Sequence, residues 1–274
     1  MRLKILILVL LLFSSAAIHS QTHDLLGVFD FEKRVAVGTM TLGEDMVSDL
    51  SQDASGRGWT WTAKTATLTL AEGFNGNDGI NIGCRTDDII RINFTGNIFI
   101  NGGSASALFC IGSLEIDGNG TLTLESYNEA VLATLNNLTV NSGTLVINAK
   151  NNGELAISSR RNMTIGGQAN VVAKATEGVG GGLQAGASIS VVDDANVNIL
   201  AAGEFHGINA AEGLTIATQG TVSVSVTGSG IPLVADEGKI SVAEGKLTLQ
   251  KPGAKELSEL TSGVVEQTGG IIDI

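Results

Sequence analysis

The chain has 274 residues, 43% of them apolar but only 4% aromatic, with 36 glycines and a formal net charge of −12. Such an acidic surface repels nucleic acid and other polyanions unless a divalent cation bridges the contact, which sets nucleic-acid binding aside. A charged fraction of 16%, with apolar content mostly of Val, Ile, Leu and Ala, argues against disorder and against a bulky globular core, and for an ordered all-β chain.

The first element is a leader. MRLKILILVLLLFSSAAIHS (1–20) has two cations, an unbroken apolar run from Ile5 to Phe13, and then small residues. This is the pattern of a secretory signal peptide, too short for a stable membrane span. Cleavage is expected after Ser20, with Ala17 as the other site. No cysteine lies nearby, so a lipid anchor is not expected, and no later segment is long and apolar enough for a transmembrane helix. The reading is an exported protein, extracellular or at the cell surface.

Residues 21–56 (QTHDLLGVFDFEKRVAVGTMTLGEDMVSDLSQDASG) precede a repeat and lie outside its period. VFDF and VAVGTMTL alternate as strands do. An open solenoid end exposes backbone edges and core, so this segment is expected to form an N-terminal β cap.

Residues 57–274 carry the repeat. An apolar pair two residues apart recurs as Ile90/Ile92, Leu114/Ile116, Leu138/Val140, Met163/Ile165, Ile189/Val191, Leu214/Ile216 and Ile240/Val242, in steps of 24, 24, 25, 26, 25 and 26 residues. Each unit holds three short alternating runs separated by Gly, Asn, Asp or Ser, which read as strands and not helices. Three strands per coil at 24–26 residues predict a right-handed parallel β-helix. About nine coils stacked at ~4.8 Å make a rod on the order of 40 Å long. EGFNGNDG (72–79) fails the spacing of an EF-hand calcium loop and reads as a loop insertion between coils. VVEQTGGIIDI (264–274) reads as half of one more coil, which offers a surface for end-to-end self-association.

VAVGTMTLGEDMVSDLSQDASGRGWTWTAKTATLTLAEG (35–73), AVLATLNNLTVNSGTLVI (130–147) and GELAISSRRNMTIGG (153–167) resemble a family of secreted bacterial carbohydrate-binding β-helix proteins. Within the first of these, Trp61 and TATLTL (65–70) match best, while Thr62 stands where Asp is common. The resemblance covers nearly the whole exported chain and implies a non-catalytic solenoid that binds polysaccharide, in characterised relatives acidic plant polysaccharide together with calcium. Where the family repeats Lys-Asp-Asp, this chain has TLNN (134–137) and SSRRN (158–162).

Candidate chemistry is sparse. A Ser/His/Asp triad needs a histidine base, and after the leader only His23 and His206 remain; His206 falls in a turn, where a solvated histidine is expected. A polysaccharide lyase needs carboxylates and a base converging on one groove, but Arg160 and Arg161 lie in one kind of turn and Asp193 and Asp194 in another. No enzyme is expected. Glu129 and Glu154 hold equivalent turn positions, with Glu204 near that register. With Asn128 and Asn152 they form either a polar turn ladder or a set of oxygen ligands for calcium. Tyr127 and Phe205 belong to the same turn lip, where glycan contacts are expected. Trp59 and Trp61 share one face of a strand: outward they would stack on sugar rings, inward they would plug the first coil. Cys84 and Cys110, 26 residues apart, are either a disulfide between neighbouring coils or two separate buried thiols. The functional reading is a secreted solenoid that binds carbohydrate at or outside the cell surface, the alternative being a structural or adhesive protein with no glycan site.

Overall fold

A computed structural model describes residues 36–150, 155–175 and 180–274. Residues 1–35, which include the expected signal peptide, and residues 151–154 and 176–179 lie outside the described residues. The chain is all-β, with 61% strand and 3% helix, and winds into a parallel solenoid of about eight turns. Every apolar pair recognised in the sequence stacks on the next: Ile90 on Leu114, Leu114 on Leu138, Leu138 on Met163, Met163 on Ile189, Ile189 on Leu214 and Leu214 on Ile240, all in parallel register. The sequence steps are therefore the coil lengths. The turns number about eight and not nine because residues up to Thr62 pair antiparallel and belong to the cap.

Each turn presents three faces. The first is built on the apolar pairs, the second on residues 97–101, 121–126, 144–149, 170–175, 196–201, 221–226 and 246–250, and the third on shorter strands such as Leu108–Cys110 and Leu132–Thr134. Alternation fixes which side chains enter the rod: in Thr144–Ala149, Leu145, Ile147 and Ala149 are buried while Thr144, Val146 and Asn148 face out. Leu122, Leu145, Val171, Val197, Val222 and Leu247 then form one continuous inner ladder. Each such aliphatic contributes ~1.5–3 kcal/mol by leaving water, so the core is a column of thin layers rather than one bulky centre.

The N-terminal end is closed by antiparallel strands. Strand β1 (Thr39–Leu42) forms a hairpin with β2 (Asp45–Val47) and pairs antiparallel with residues 80–83, covering the edge of the third face. Strands β3 (Ala54–Gly56), β4 (Trp59–Thr62) and β5 (Thr67–Leu70) make an antiparallel meander, and β5 is the first strand to stack in parallel on the next coil. The parallel ladder thus opens at Thr67. VFDF lies outside the described residues, whereas VAVGTMTL supplies β1.

Residues 72–79 are not an insertion. Gly76 and Asn77 pair in parallel with Ile100 and Asn101 as the second-face strand of the first turn. A side chain at Gly76 would run into the Phe99 carbonyl oxygen, so the Gly-rich composition reflects close backbone approach. At the other end, Thr261–Gln267 and Ile271–Asp273 stack on residues 233–250 as a further partial coil. Among the described residues no helix is long and apolar enough to cross a membrane.

Candidate functional site on the second face

The second face has the longest strands, and it presents three parallel rows of outward side chains. One row runs Asn97, Thr121, Thr144, Asn170, Asn196, Thr221; the next Phe99, Thr123, Val146, Val172, Asn198, Ser223; the third Asn101, Glu125, Asn148, Lys174, Leu200, Ser225. Strand spacing and rise per residue make this field roughly 24 Å along the rod and 13 Å across it. Only Glu125 and Lys174 in these rows are charged. The carboxylates of this acidic chain sit mostly at corners and in the cap instead, as Asp193, Asp194, Glu212 and Glu237 do.

Local order on the face comes from its own side chains. The Asn196 side-chain oxygen Oδ1 accepts hydrogen bonds from the Thr221 backbone N–H at 3.0 Å and hydroxyl at 3.1 Å, which pins neighbouring coils in register. Phe99 is 48% exposed between two buried isoleucines, Ile98 and Ile100, so its ring lies over the face near the capped end. An aromatic ring held this way offers an apolar platform without a flexible stem.

The lip beside the face carries the turn residues singled out in the sequence. Glu125, 8% exposed, pairs with the Lys150 ammonium at 2.8 Å, and that ammonium lies 5.9 Å from the centre of the Tyr127 ring. Asn128 and Glu129 are exposed in the turn that follows, where the Ser126 hydroxyl donates to the Glu129 carbonyl at 3.0 Å. Asn152 and Glu154 lie outside the described residues, so the pairing of Glu129 with Glu154 around calcium is not placed. Among the described residues no three His, Cys, Asp or Glu side chains are grouped to hold a metal. Glu204 is exposed and Phe205 half-buried, but they precede a strand three coils beyond the one that follows Glu129, ~14 Å along the rod. The described lip residues are therefore spread along the face, with Glu204 and Phe205 apart from Tyr127, Asn128 and Glu129.

Other expectations resolve differently. Trp59 and Trp61 are 5% and 1% exposed, and their indole N–H groups donate to the Asp45 carboxylate at 2.7 Å and the Leu50 carbonyl at 3.0 Å. They are the plug of the first coil, and neither ring offers a stacking surface. His206 is half-buried instead of solvated, its Nδ1 accepting the Ile231 backbone N–H at 2.9 Å and so stapling one turn to the next. Arg160 and Arg161 occupy the corner between third and first faces, whereas Asp193 and Asp194 occupy that between first and second, where Asp193 accepts the Gly167 N–H at 2.8 Å. Cys84 and Cys110 are free thiols in contact, their sulfurs 3.9 Å apart.

Among the described residues, the carboxyl groups moved from their ordinary range lie away from the second face. Burial pushes Asp88 up, the Arg85 guanidinium holds Asp87 down, and the backbone N–H groups of Lys255 and Glu256 hold Glu259 down. The rows of the second face were missed in the sequence, although their signal is there: once the phase of each alternating run is set, the remaining residues are the outward ones, and they are short of charge. No protein-family model, curated protein or solved structure matches the chain. The resemblance to carbohydrate-binding β-helices stands on the residues quoted for it, and the solenoid is the part the structure bears out.

Proposed function

We propose that this chain is an exported, non-catalytic solenoid that binds a neutral polysaccharide along its second face. One observation carries the reading: six consecutive coils of an acidic protein present there a flat field of amides, hydroxyls and small aliphatics almost free of charge. Sugar hydroxyls donate and accept, and Asn and Thr side chains do both. Uncharged groups cost far less to desolvate than carboxylates, so a glycan can displace water from such a field cheaply. Repetition at ~4.8 Å lets a linear polymer meet the same groups coil after coil, and weak contacts add without loss of a new rigid-body entropy term at each one. Phe99 supplies the apolar anchor. The one carboxylate in the rows of these six coils, Glu125, is engaged by Lys150, so a calcium-bridged contact is not expected here.

Affinity electrophoresis of residues 21–274 through gels containing neutral or acidic polysaccharides, with calcium or with EDTA, tests this. Retardation by a neutral glycan that EDTA leaves unchanged is the expected result. Retardation only by an acidic glycan, abolished by EDTA, would move the site to the lip around Glu129. Free migration in every gel would leave a structural or adhesive role.

A further inference from the structure

The two cysteines meet where the first two coils join, beneath the cap. Cys110 is an inward residue of the third face, paired with Ile82 on the preceding coil. Cys84 is the next inward residue after Ile82, and it lies opposite Gly112, whose backbone N–H donates to its sulfur at 3.2 Å. A Cβ at Gly112 would lie 2.5 Å from the Asp88 carbonyl oxygen, 2.9 Å from that of Arg85 and 3.0 Å from the Cys84 sulfur, so glycine here admits the close backbone and leaves room for that sulfur. In the later coils the position of Cys110 is taken by Thr134, Ser159, Ala185, Ala210 and Ala235, all small. This ladder position accepts a small side chain, and in this coil it holds a sulfur in contact with another.

We propose that Cys84 and Cys110 close into a disulfide that ties the first coil to the second. The strand that ends at Gly83, one residue before Cys84, is already paired with the strand that carries Cys110, so bringing the sulfurs from 3.9 Å to bonding distance requires side-chain rotation and local adjustment, not a new coil register. The oxidant is a disulfide, either a small molecule or a thiol oxidoreductase of the export compartment. The Cys84 thiolate attacks one sulfur of that disulfide and expels the other as a thiolate. Cys110 then gives up its proton and attacks the Cys84 sulfur, releasing the second oxidant thiol. Two protein thiols lose two electrons and two protons, and the oxidant's disulfide gains them as two thiols. Cys84 is the attacking group because the Cys110 S–H and the Gly112 N–H both favour its thiolate, while contact with Cys84 and burial hold Cys110 in the thiol form. A metal fits less well, since a tetrahedral ion needs further ligands and no metal-binding group of three is present among the described residues.

The bond would act at the junction between the cap and the first coil. Gly38, just before β1, packs on the backbone of Gly83 and Cys84, so the clasp lies directly under the cap. The test oxidises the protein from residue 21 with glutathione disulfide, then denatures it, alkylates it with iodoacetamide and weighs it. The expected product takes up no alkylating agent, is lighter by two hydrogens, and yields one cross-linked peptide joining Cys84 to Cys110. Reduction should restore both thiols and lower Tm by roughly 5–10 °C. Two alkylatable thiols after oxidation, or stable glutathione adducts on either residue, would overturn the proposal. The Cys110→Ser protein, with the residue that Ser159 places in the same ladder, should fold and have a Tm that no longer responds to reductant; a Tm that still responds would equally overturn it.

Discussion

Phe99 and Trp61 show how the same residue type serves opposite ends. Phe99 faces out because its neighbours Ile98 and Ile100 face in, whereas Trp61 faces in because β4 crosses the open end of the first coil. Phe99→Ala should weaken retardation by a binding glycan ~10-fold, the loss of one stacking contact, and leave stability within ~0.5 kcal/mol. Titration by affinity electrophoresis together with thermal unfolding checks both halves. Trp61→Ala should cost ~3–5 kcal/mol through the cavity it leaves, with further loss from the orphaned Leu50 carbonyl, read as a lower urea midpoint. Individual residues were the least legible part of the sequence. In NFTGNIFIN (93–101), Phe94 is buried at a corner and Phe99 lies on the surface, and nothing in the spelling separates them until the phase of each strand is known. The tryptophans could be read either way for the same reason.

Corners decide how strands become coils. Phe94 fills the inside of the corner between first and second faces, and Gly118 and Gly143 of the next two coils give its ring room: a Cβ at Gly118 would enter the ring, and one at Gly143 would lie 2.6 Å from it. Gly143 also has a φ of +83°, where a side chain is strained. Gly118→Ala should therefore destabilise by ~1–3 kcal/mol from overpacking, and Gly143→Ala by at least as much because strain adds to the clash, both measured by denaturant unfolding. The strands themselves were legible because each coil must present apolar residues at the same place, which prints a period. The lip was not, because its turns differ in length, so Glu129 and Glu204 looked closer in register than they are in space.

At the scale of the molecule, stability is a sum of coils and of contacts between nearest neighbours. Ser188 stacks on Gly213 in register, so deleting residues 188–212 removes one whole turn and offers Gly213 onward the partner that Ser188 had. Such a protein should stay folded, with a β-type circular dichroism spectrum and a modest loss of Tm. Loss of that spectrum would show that the coils are not equivalent units. The coils from Ile90 onward were legible for this reason, while the outward rows of the second face were not, since outward positions are free of the packing that makes inward ones recur. On the proposed function, the glycan lies along the second face. Val172 and Thr164 face outward in the same coil, on the second and first faces respectively, so Val172→Glu and Thr164→Glu add the same charge to different faces. In a gel of the neutral glycan that retards the parent protein, Val172→Glu should migrate freely while Thr164→Glu remains retarded; equal retardation of the two would contradict the account.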